Sequence, residues 1–308
     1  MKLITAFFQL VRWPNLLFIA ITQVLFVYCI VHPLFSNAGA TANIHGVYFV
    51  LLMISSVLLA AAGNIINDYF DLNIDQINKP HKLVVEKIIS RRWVIAWHLI
   101  LSTIGVIIGF YIDWKTNVRF LGVTHLGTVF LLFVYSVSLK KKLLAGNVLV
   151  SLLTAWVILV VYWCEVSNIR FPFFVGTLTR ITFAYAGFAF VISLVREVIK
   201  DMEDIEGDRR FGCYTMPIAW GINATKVFVA VWLVVLVSSV ALVQFYVLNH
   251  KWWWSAVYCV LFIIIPLIHI LRLLVHANDT KHFHRLSSLI KVAMFTGILS
   301  MIFFCFYL

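Results

Sequence analysis

Long apolar stretches follow one another along the whole chain, and this feature restricts the fold more than any other. A membrane-spanning helix needs about 20 consecutive apolar residues. Hydrophobic residues make up 63% of the 308 residues and charged residues only 12%, which leaves too little polar surface for a water-soluble globule. Nine stretches have the required length, at about residues 14–34, 45–66, 93–112, 120–138, 143–163, 172–195, 223–248, 253–275 and 286–308.

The lipid environment determines the secondary structure of these stretches. Lipid offers the backbone no hydrogen-bond partner, so open strands are excluded and the spans must be helices. No low-complexity linker and no soluble segment of domain size separates them. The sequence therefore predicts an all-α fold in which residues 1–308 form a single membrane domain of nine transmembrane helices.

The lysine and arginine residues predict the orientation of the bundle. If the N-terminus is cytoplasmic, 18 of the 24 basic residues lie in cytoplasmic segments and four lie in the opposite ones. Because cytoplasmic segments are enriched in Lys and Arg, we expect the N-terminus inside and the C-terminus outside. The net charge of +11 then reflects topology and contact with membrane lipid. It does not indicate nucleic acid, since no basic patch with interleaved aromatic residues occurs on a soluble domain.

Acidic residues are concentrated in two windows, residues 64–75 (NIINDYFDLNID) and 196–208 (REVIKDMEDIEGD), which hold nine of the thirteen. Both windows contain the spacing Asp-x2-Asp-x3-Asp, and on a helix positions i, i+3 and i+7 share one face. Each window continues an apolar stretch, so we expect both carboxylate rows at the cytoplasmic mouth of the bundle. The rows consist of Asp68, Asp71 and Asp75 in the first window and Asp201, Asp204 and Asp208 in the second.

These carboxylate rows indicate a divalent cation. Like charges one helical turn apart repel each other unless a cation holds them. Carboxylate oxygens suit Mg²⁺, which accepts phosphate oxygens as further ligands, and nearby basic side chains would contact the phosphate. Two solvated helix ends are the structural alternative, because exposed charges cost little there. The flanking basic residues are Lys79, Lys82, Arg196, Lys200, Arg209 and Arg210.

At these residues the chain resembles the UbiA superfamily of membrane prenyltransferases. Residues 67–75 match that family's NDxxDxxxD motif, and KDMEDIEGD at 200–208 resembles its second Asp-rich motif. GCYTMPIAWG follows at 212–221, and RWPN at 12–15 and YSVSLKKKLLAGN at 135–147 are similar to further landmarks of the family. The resemblance extends over the first seven spans and implies a prenyltransferase domain of nine helices around a central cavity.

The resemblance also implies the chemistry and its residues. The family transfers a prenyl group from an allylic polyprenyl diphosphate to an acceptor, with Mg²⁺ neutralising the leaving diphosphate. The six aspartates of the two rows would form the catalytic set, and Asn67, Asp71, Asp75, Asp204 and Asp208 would bind the metal. The implied diphosphate-binding residues are Asn64, Lys79, Lys82, Lys140, Arg196, Lys200 and Arg209, and the implied cavity residues are Asn15 and Tyr135, whose ring can stabilise an allylic cation.

The form of the second window bears on the acceptor. It is most similar to that of family members that prenylate geranylgeranylglyceryl phosphate, so we expect this lipid or a similar one. An aromatic acceptor such as homogentisate, 4-hydroxybenzoate or dihydroxynaphthoate is the alternative. Residues 81–87, HKLVVEK, depart from the Arg-Pro sequence usual in the loop that caps the cavity. Arg196 and Lys200 would serve a phosphorylated acceptor, the donor diphosphate, or simply Glu197 and Asp201.

Two other functions fit the sequence less well. A cation transporter would place acids near the middle of the bilayer, whereas here they cluster at helix ends. A membrane phosphotransferase acting on nucleotide-linked alcohols would need Asp-Gly and Ala-Arg dipeptides ahead of its later aspartates, and neither is so placed. No protein partner is implied.

Overall fold

The computed structural model describes residues 2–80, 83–116, 118–167 and 175–308. These residues form helices and connecting turns, with one isolated bridge between Val85 and Ile89, so the predicted all-α fold is confirmed. The helices are α1 (Lys2–Leu10), α2 (Trp13–Asn37), α3 (Val47–Asn78), α4 (Arg91–Thr116), α5 (Leu121–Val137), α6 (Ala145–Val166), α7 (Val175–Glu203), α8 (Ile205–Arg210), α9 (Met216–Ala219), α10 (Gly221–Asn249), α11 (Trp253–His276) and α12 (Thr280–Tyr307).

Each predicted apolar stretch coincides with one of the long helices. Within the described ranges, α2, α3, α4, α6, α7, α10, α11 and α12 are long and apolar enough to cross a membrane. The remaining stretch is α5, whose 17 residues rise about 26 Å at 1.5 Å per residue. This is slightly less than the hydrocarbon core of about 30 Å. The predicted polytopic membrane bundle is confirmed, with α5 as its shortest member.

The buried side chains form three groups that hold the bundle together. One group joins α7 to α10, α11 and α12, a second joins α2, α3, α5 and α6, and a third packs α1 against α3 and α4. Between membrane helices these side chains act through close van der Waals packing, because lipid tails are as apolar as the side chains themselves. Representative members are Val195, Leu233, Leu267 and Ile290 in the first group, Phe26, Leu52, Leu121 and Val161 in the second, and Leu10, Ile65 and Val94 in the third.

Acids outside the two windows bind backbone or surface groups. Glu165 accepts the backbone N–H groups of Asn43 at 2.7 Å and Ile44 at 3.2 Å, which fixes the α2–α3 connection to α6. Asp113 accepts the N–H groups of Leu121 at 2.9 Å and of its neighbour at 2.8 Å, where the first turn of α5 lacks intrahelical acceptors. These carboxylates therefore stabilise connections between helices and leave the two windows as the candidate site.

The first window lies entirely on α3, which continues to Asn78, as the spacing predicts. The second window does not lie on one continuous helix, and that prediction is wrong. α7 ends at Glu203, Asp204 leaves the helical conformation at φ −95° and ψ 9°, and α8 begins at Ile205. The physical reason is a tertiary contact: the backbone N–H of Gly207 donates to the Asn78 side chain at 2.8 Å.

Candidate active site

Asp71 is the centre of a charged group on the first window. Its Oδ2 accepts the side-chain N–H of Asn67 at 2.6 Å, and its Oδ1 pairs with Lys140 Nζ at 2.6 Å. The Lys140 ammonium also lies 3.4 Å from Asn67 Oδ1, and only 9% of its side chain is exposed. A lysine buried to this degree needs such a partner, because desolvation penalises an isolated charge.

The turn between α5 and α6 places Lys140 in this position. Residues Leu139–Lys141 form a 3₁₀ turn, and Gly146 packs directly on it: a Cβ at Gly146 would lie 2.7 Å from Lys140 Cα. Lys141 and Lys142 are exposed. The lysine triplet therefore divides into one residue that faces the carboxylates and two that face outwards.

The N-terminal segment supplies a second cation to the first window. Arg12 adopts a left-handed backbone conformation, φ 55°, between α1 and α2. Its Nη2 pairs with Asp68 Oδ1 at 2.6 Å, and the Asp68 carboxylate raises the pKa of Arg12 above its ordinary value. One turn earlier on α3, the Asn64 side chain donates to the Val11 carbonyl at 2.9 Å. Asn64 thus anchors the segment that carries Arg12.

Asn78 and Lys79 join the second window to the first. Lys79 Nζ pairs with Asp204 Oδ2 at 2.6 Å. Burial opposes the charged form of Lys79, but the Asp204 carboxylate outweighs it and raises the pKa of the lysine. The Asn78 amide donates to the Asp204 carbonyl at 2.9 Å and accepts the Gly207 N–H at 2.8 Å. The C-terminal end of α3 therefore contacts the junction of α7 and α8 directly.

Asp208, on α8, faces the same pocket. Burial, together with the carboxylates of Asp204 and Asp71, raises the pKa of Asp208 to about 7, while Lys79 and Lys140 oppose the shift. Carboxylates from both windows are therefore close enough to disfavour each other's charge. A bound cation reverses this effect, because it favours the ionised form of every carboxylate that faces it.

Asp201 and the basic residues Arg196 and Lys200 lie on α7, before the break at Asp204. Asp201 Oδ2 accepts the Asn147 side-chain N–H at 2.8 Å. Glu197 binds Arg196 Nη1 at 2.7 Å through one oxygen and Lys200 Nζ at 2.9 Å through the other. The contacts of Arg196 and Lys200 are thus with Glu197 rather than with the aspartates around Lys79 and Lys140.

The remaining predicted residues occupy different places. Tyr135, near the end of α5, lies within electrostatic range of Asp71, Asp201 and Glu197, whereas Asn15 is half-buried on α2. Asp75 lies within electrostatic range of Asp71 and Lys79. Lys82 lies outside the described residues, Arg209 is exposed on α8, and Arg210 pairs with Glu206 at the surface.

Three residues of the pocket were not predicted as site residues. In the sequence, Arg12 counts as one of the basic residues that predict topology, and it lies in the RWPN segment. Asn147 ends the YSVSLKKKLLAGN landmark and Asn78 follows the first window by three residues, but neither carries a charge that would mark it. The contacts that involve them, Arg12 with Asp68, Asn78 with Asp204 and Asn147 with Asp201, all join residues more than 50 positions apart. The sequence signals that could have marked these residues were therefore the charge of Arg12 and the position of all three residues in or next to a motif.

The donor set fits a hard divalent cation. Carboxylates and the Asn67 amide provide oxygen ligands of the kind that Mg²⁺ prefers. Among the described residues, no three acidic, histidine or cysteine side chains stand close enough to form a ready-made metal site. Instead, Asp68, Asp71 and Asp204 each pair with a basic side chain. A cation bound by these carboxylates would free the basic groups for an anionic ligand.

The fold and the pocket together define a multi-pass membrane protein whose charged site suits a metal and a phosphorylated ligand. Comparison with known proteins gives the family: the chain belongs to the UbiA prenyltransferase family, which matches residues 24–299. The protein is therefore an integral membrane prenyltransferase, as the motifs predicted.

Individual relatives agree with this assignment. The chain is 30% identical to the digeranylgeranylglyceryl phosphate synthase of Methanosphaera stadtmanae over 259 residues, which are 82% of this chain and 86% of the relative. It is 31% identical to the synthase of the same name from Methanothermobacter thermautotrophicus over 250 residues, 80% of this chain and 82% of that one.

Solved structures share the fold. A structure of digeranylgeranylglyceryl phosphate synthase superposes with a TM-score of 0.62 at 22% identity, covering 98% of this chain and 99% of the other. A UbiA homologue from Archaeoglobus fulgidus bound to DMAPP and Mg²⁺ superposes with a TM-score of 0.60 at 16% identity, covering 95% and 99%.

Proposed function

We propose that the protein catalyses the Mg²⁺-dependent transfer of a geranylgeranyl group from its diphosphate to geranylgeranylglyceryl phosphate or a similar lipid. The names of the relatives from Methanosphaera and Methanothermobacter support the lipid acceptor. The Archaeoglobus homologue, with DMAPP and Mg²⁺ bound, supports the metal and the allylic donor. The observation that carries the proposal is the contact of Asn78 and Lys79, just beyond the first window, with Asp204 of the second window.

The residues of the pocket have distinct tasks in this reaction. Asp71, Asp204 and Asp208, with Asn67 and Asp75, would hold Mg²⁺, which would supply the positive charge that neutralises the diphosphate leaving group. Lys79 and Lys140 exchange their carboxylate partners for oxygens of the diphosphate, which carries more negative charge than a carboxylate. Asp68 and Asp201 keep the positions that Arg12 and Asn147 give them and orient their own helices in the pocket.

The prenyl carbon must be protected from water until the acceptor reaches it. As the bond to oxygen breaks, its electron pair leaves with the diphosphate. The acceptor hydroxyl then forms the new ether bond and gives its proton to the departing diphosphate. Tyr135 offers a ring to the transient positive charge. The preceding turn of α5, residues 130–134 (FLLFV), is apolar, and apolar side chains near the ring would help to exclude water from the reacting carbon.

The proposal includes the orientation in the membrane. The basic residues Arg12, Lys79, Lys140 and Lys200 contact the carboxylates of the two windows, so the site lies at the end of the bundle where basic residues are concentrated. By the positive-inside tendency, this end faces the cytoplasm together with the N-terminus, and the C-terminus faces outwards.

The reaction is tested with purified protein, Mg²⁺ and labelled geranylgeranyl diphosphate. The acceptors offered are geranylgeranylglyceryl phosphate, 4-hydroxybenzoate, homogentisate and dihydroxynaphthoate, and the products are identified by mass. We expect a diether product, and we expect Asp71→Ala and Asp208→Ala to slow its formation by at least about a hundredfold, as loss of one strong electrostatic contact does.

Asp279→Ala is the matched control, because Asp279 is a largely exposed acid, 76% exposed, ahead of α12. It should retain the wild-type rate. Product formation at the wild-type rate in both pocket variants would contradict the assignment of the site. Prenylation of an aromatic acid in preference to the lipid would contradict the acceptor while leaving the metal site in place.

A further inference from the structure

A second charged cluster lies beside the carboxylate pocket, and we call it the basic cluster: Arg196, Lys200, Lys291 and Glu197. The Glu197 carboxylate is shared by Arg196 at 2.7 Å and Lys200 at 2.9 Å. The side chains of Arg196 and Glu197 are only 15% and 12% exposed. Lys291 belongs to α12, an apolar helix that crosses the membrane.

The packing of α7 against α12 brings Lys291 to the level of Arg196. The two helices run antiparallel: His284 Nδ1 lies 2.8 Å from Glu203 Oε1, and the Tyr185 and Ser300 hydroxyls lie 2.8 Å apart. Moving seven residues, about two helical turns, from the first contact along each helix leads to Lys291 on one and Arg196 on the other. Lys291 also lies within electrostatic range of Arg196, Lys200 and Glu197.

The charges of the basic cluster do not balance. Arg196, Lys200 and Lys291 outnumber the two nearby carboxylates, Glu197 and Asp201, which lie within electrostatic range of the cluster. A lysine within a membrane helix is costly unless it has a partner. In addition, Arg196 Nε is buried and has no hydrogen-bond acceptor among the described residues, although an unsatisfied buried donor costs about 1–3 kcal/mol. The cluster therefore carries an excess of positive charge and an unused donor, which an anion such as a phosphate monoester would satisfy.

The basic cluster is separate from the place proposed for the donor diphosphate. Arg196 precedes Asp204 by eight residues, which corresponds to about 12 Å along a helix, and Lys79 and Lys140 already face the carboxylates that would bind the metal. Tyr135 lies within electrostatic range of both Glu197 and Asp71. The two charged groups are therefore neighbours that share the wall containing Tyr135.

We propose that the basic cluster binds the phosphate of the lipid acceptor, with Arg196, Lys200 and Lys291 as its donors. This inference rests on the proposed function and assigns Arg196 and Lys200 to the acceptor instead of the donor. A glyceryl lipid held by its phosphate presents the adjacent hydroxyl towards the donor carbon, because the two groups are attached to neighbouring carbons. The cluster then selects acceptors that carry a dianionic phosphate.

Lys291→Met tests the subsite, because it removes the charge and keeps the length of the side chain in a helix that tolerates apolar residues. We expect the KM for geranylgeranylglyceryl phosphate to rise by about tenfold or more, the usual effect of losing a hydrogen bond to a charged group. The KM for geranylgeranyl diphosphate and the binding of its non-hydrolysable thio analogue with Mg²⁺ should stay at wild-type values. Lys291→Arg should restore most of the acceptor affinity.

Lys226→Met is the control, because Lys226 contacts Asn278 at the surface, at 3.0 Å from its side-chain oxygen. A second comparison uses the acceptor alcohol that lacks phosphate: wild type should prefer the phosphorylated lipid, and Lys291→Met should lose most of that preference. A rise in the donor KM, or unchanged acceptor kinetics in Lys291→Met, would overturn the subsite while leaving the proposed reaction intact. Failure of the wild-type protein to prenylate the phosphorylated lipid would overturn both.

Discussion

Asn78 holds the ends of the two acid windows together, and removing its side chain tests whether the windows act as one site. The Asn78 amide donates to the Asp204 carbonyl at 2.9 Å and accepts the Gly207 N–H at 2.8 Å. Each bond contributes about 1 kcal/mol net, so Asn78→Ala loses about 2 kcal/mol of contact between α3 and the α7–α8 junction. A free-energy change of about 1.4 kcal/mol changes a binding constant tenfold. If the whole loss of about 2 kcal/mol is felt at the site, cation and donor binding weaken by about 30-fold.

The assay is the Mg²⁺ dependence of diphosphate release from geranylgeranyl diphosphate in the presence of acceptor. Asn78→Ala should need a many-fold higher Mg²⁺ concentration for half-maximal rate, because Asp204 and Asp208 are no longer held against α3. Asn73→Ala is the control, since Asn73 is exposed on the same helix. If both variants need the same Mg²⁺ concentration and reach the same rate, the two windows do not depend on this contact.

Two further substitutions test neighbouring parts of the pocket. A Cβ on Gly207 would lie 2.5 Å from Asn78 Oδ1, so Gly207→Ala should reproduce the Mg²⁺ defect of Asn78→Ala. The double variant should be no worse than either single variant. Additive defects in a double-mutant cycle would refute the shared contact. Lys140 competes with a cation for Asp71, so Lys140→Met should bind Mg²⁺ alone more tightly in calorimetry but raise the donor KM by about tenfold. A weaker affinity for Mg²⁺ alone would contradict the proposed exchange of partners.

Local periodicity accounts for the parts of the structure that could be predicted. The apolar stretches predicted the helices because length and hydropathy are properties of each segment alone. The spacing of Asp68, Asp71 and Asp75 predicted a common face because all three lie on one unbroken helix. The same reasoning failed at Asp204, where the Asn78 side chain, 126 residues away in sequence, binds the backbone.

The basic residues show where the limit lies. Lysine and arginine counts predicted a cytoplasmic end, but a count does not distinguish Lys140, which pairs with Asp71, from the exposed Lys141 beside it. Arg12 enters the same count as a topology signal, whereas in the structure it pairs with Asp68. Lys291 lies in an apolar helix, and only the antiparallel packing of α7 and α12 brings it beside Arg196. Contacts between distant segments decide the roles of these basic residues, and the sequence pattern within one segment carries no information about such contacts.

The length of α3 determines where in the membrane the chemistry takes place. Its 32 residues extend about 48 Å, well beyond the hydrocarbon layer of about 30 Å. The end that carries the aspartates lies outside this layer, because charged side chains are costly within it. The polar heads of both lipids can therefore stay in the hydrated layer while their tails remain among the acyl chains. Substrates arrive and the longer-tailed product departs by sideways diffusion within the leaflet, and no diphosphate has to be carried into the oily interior.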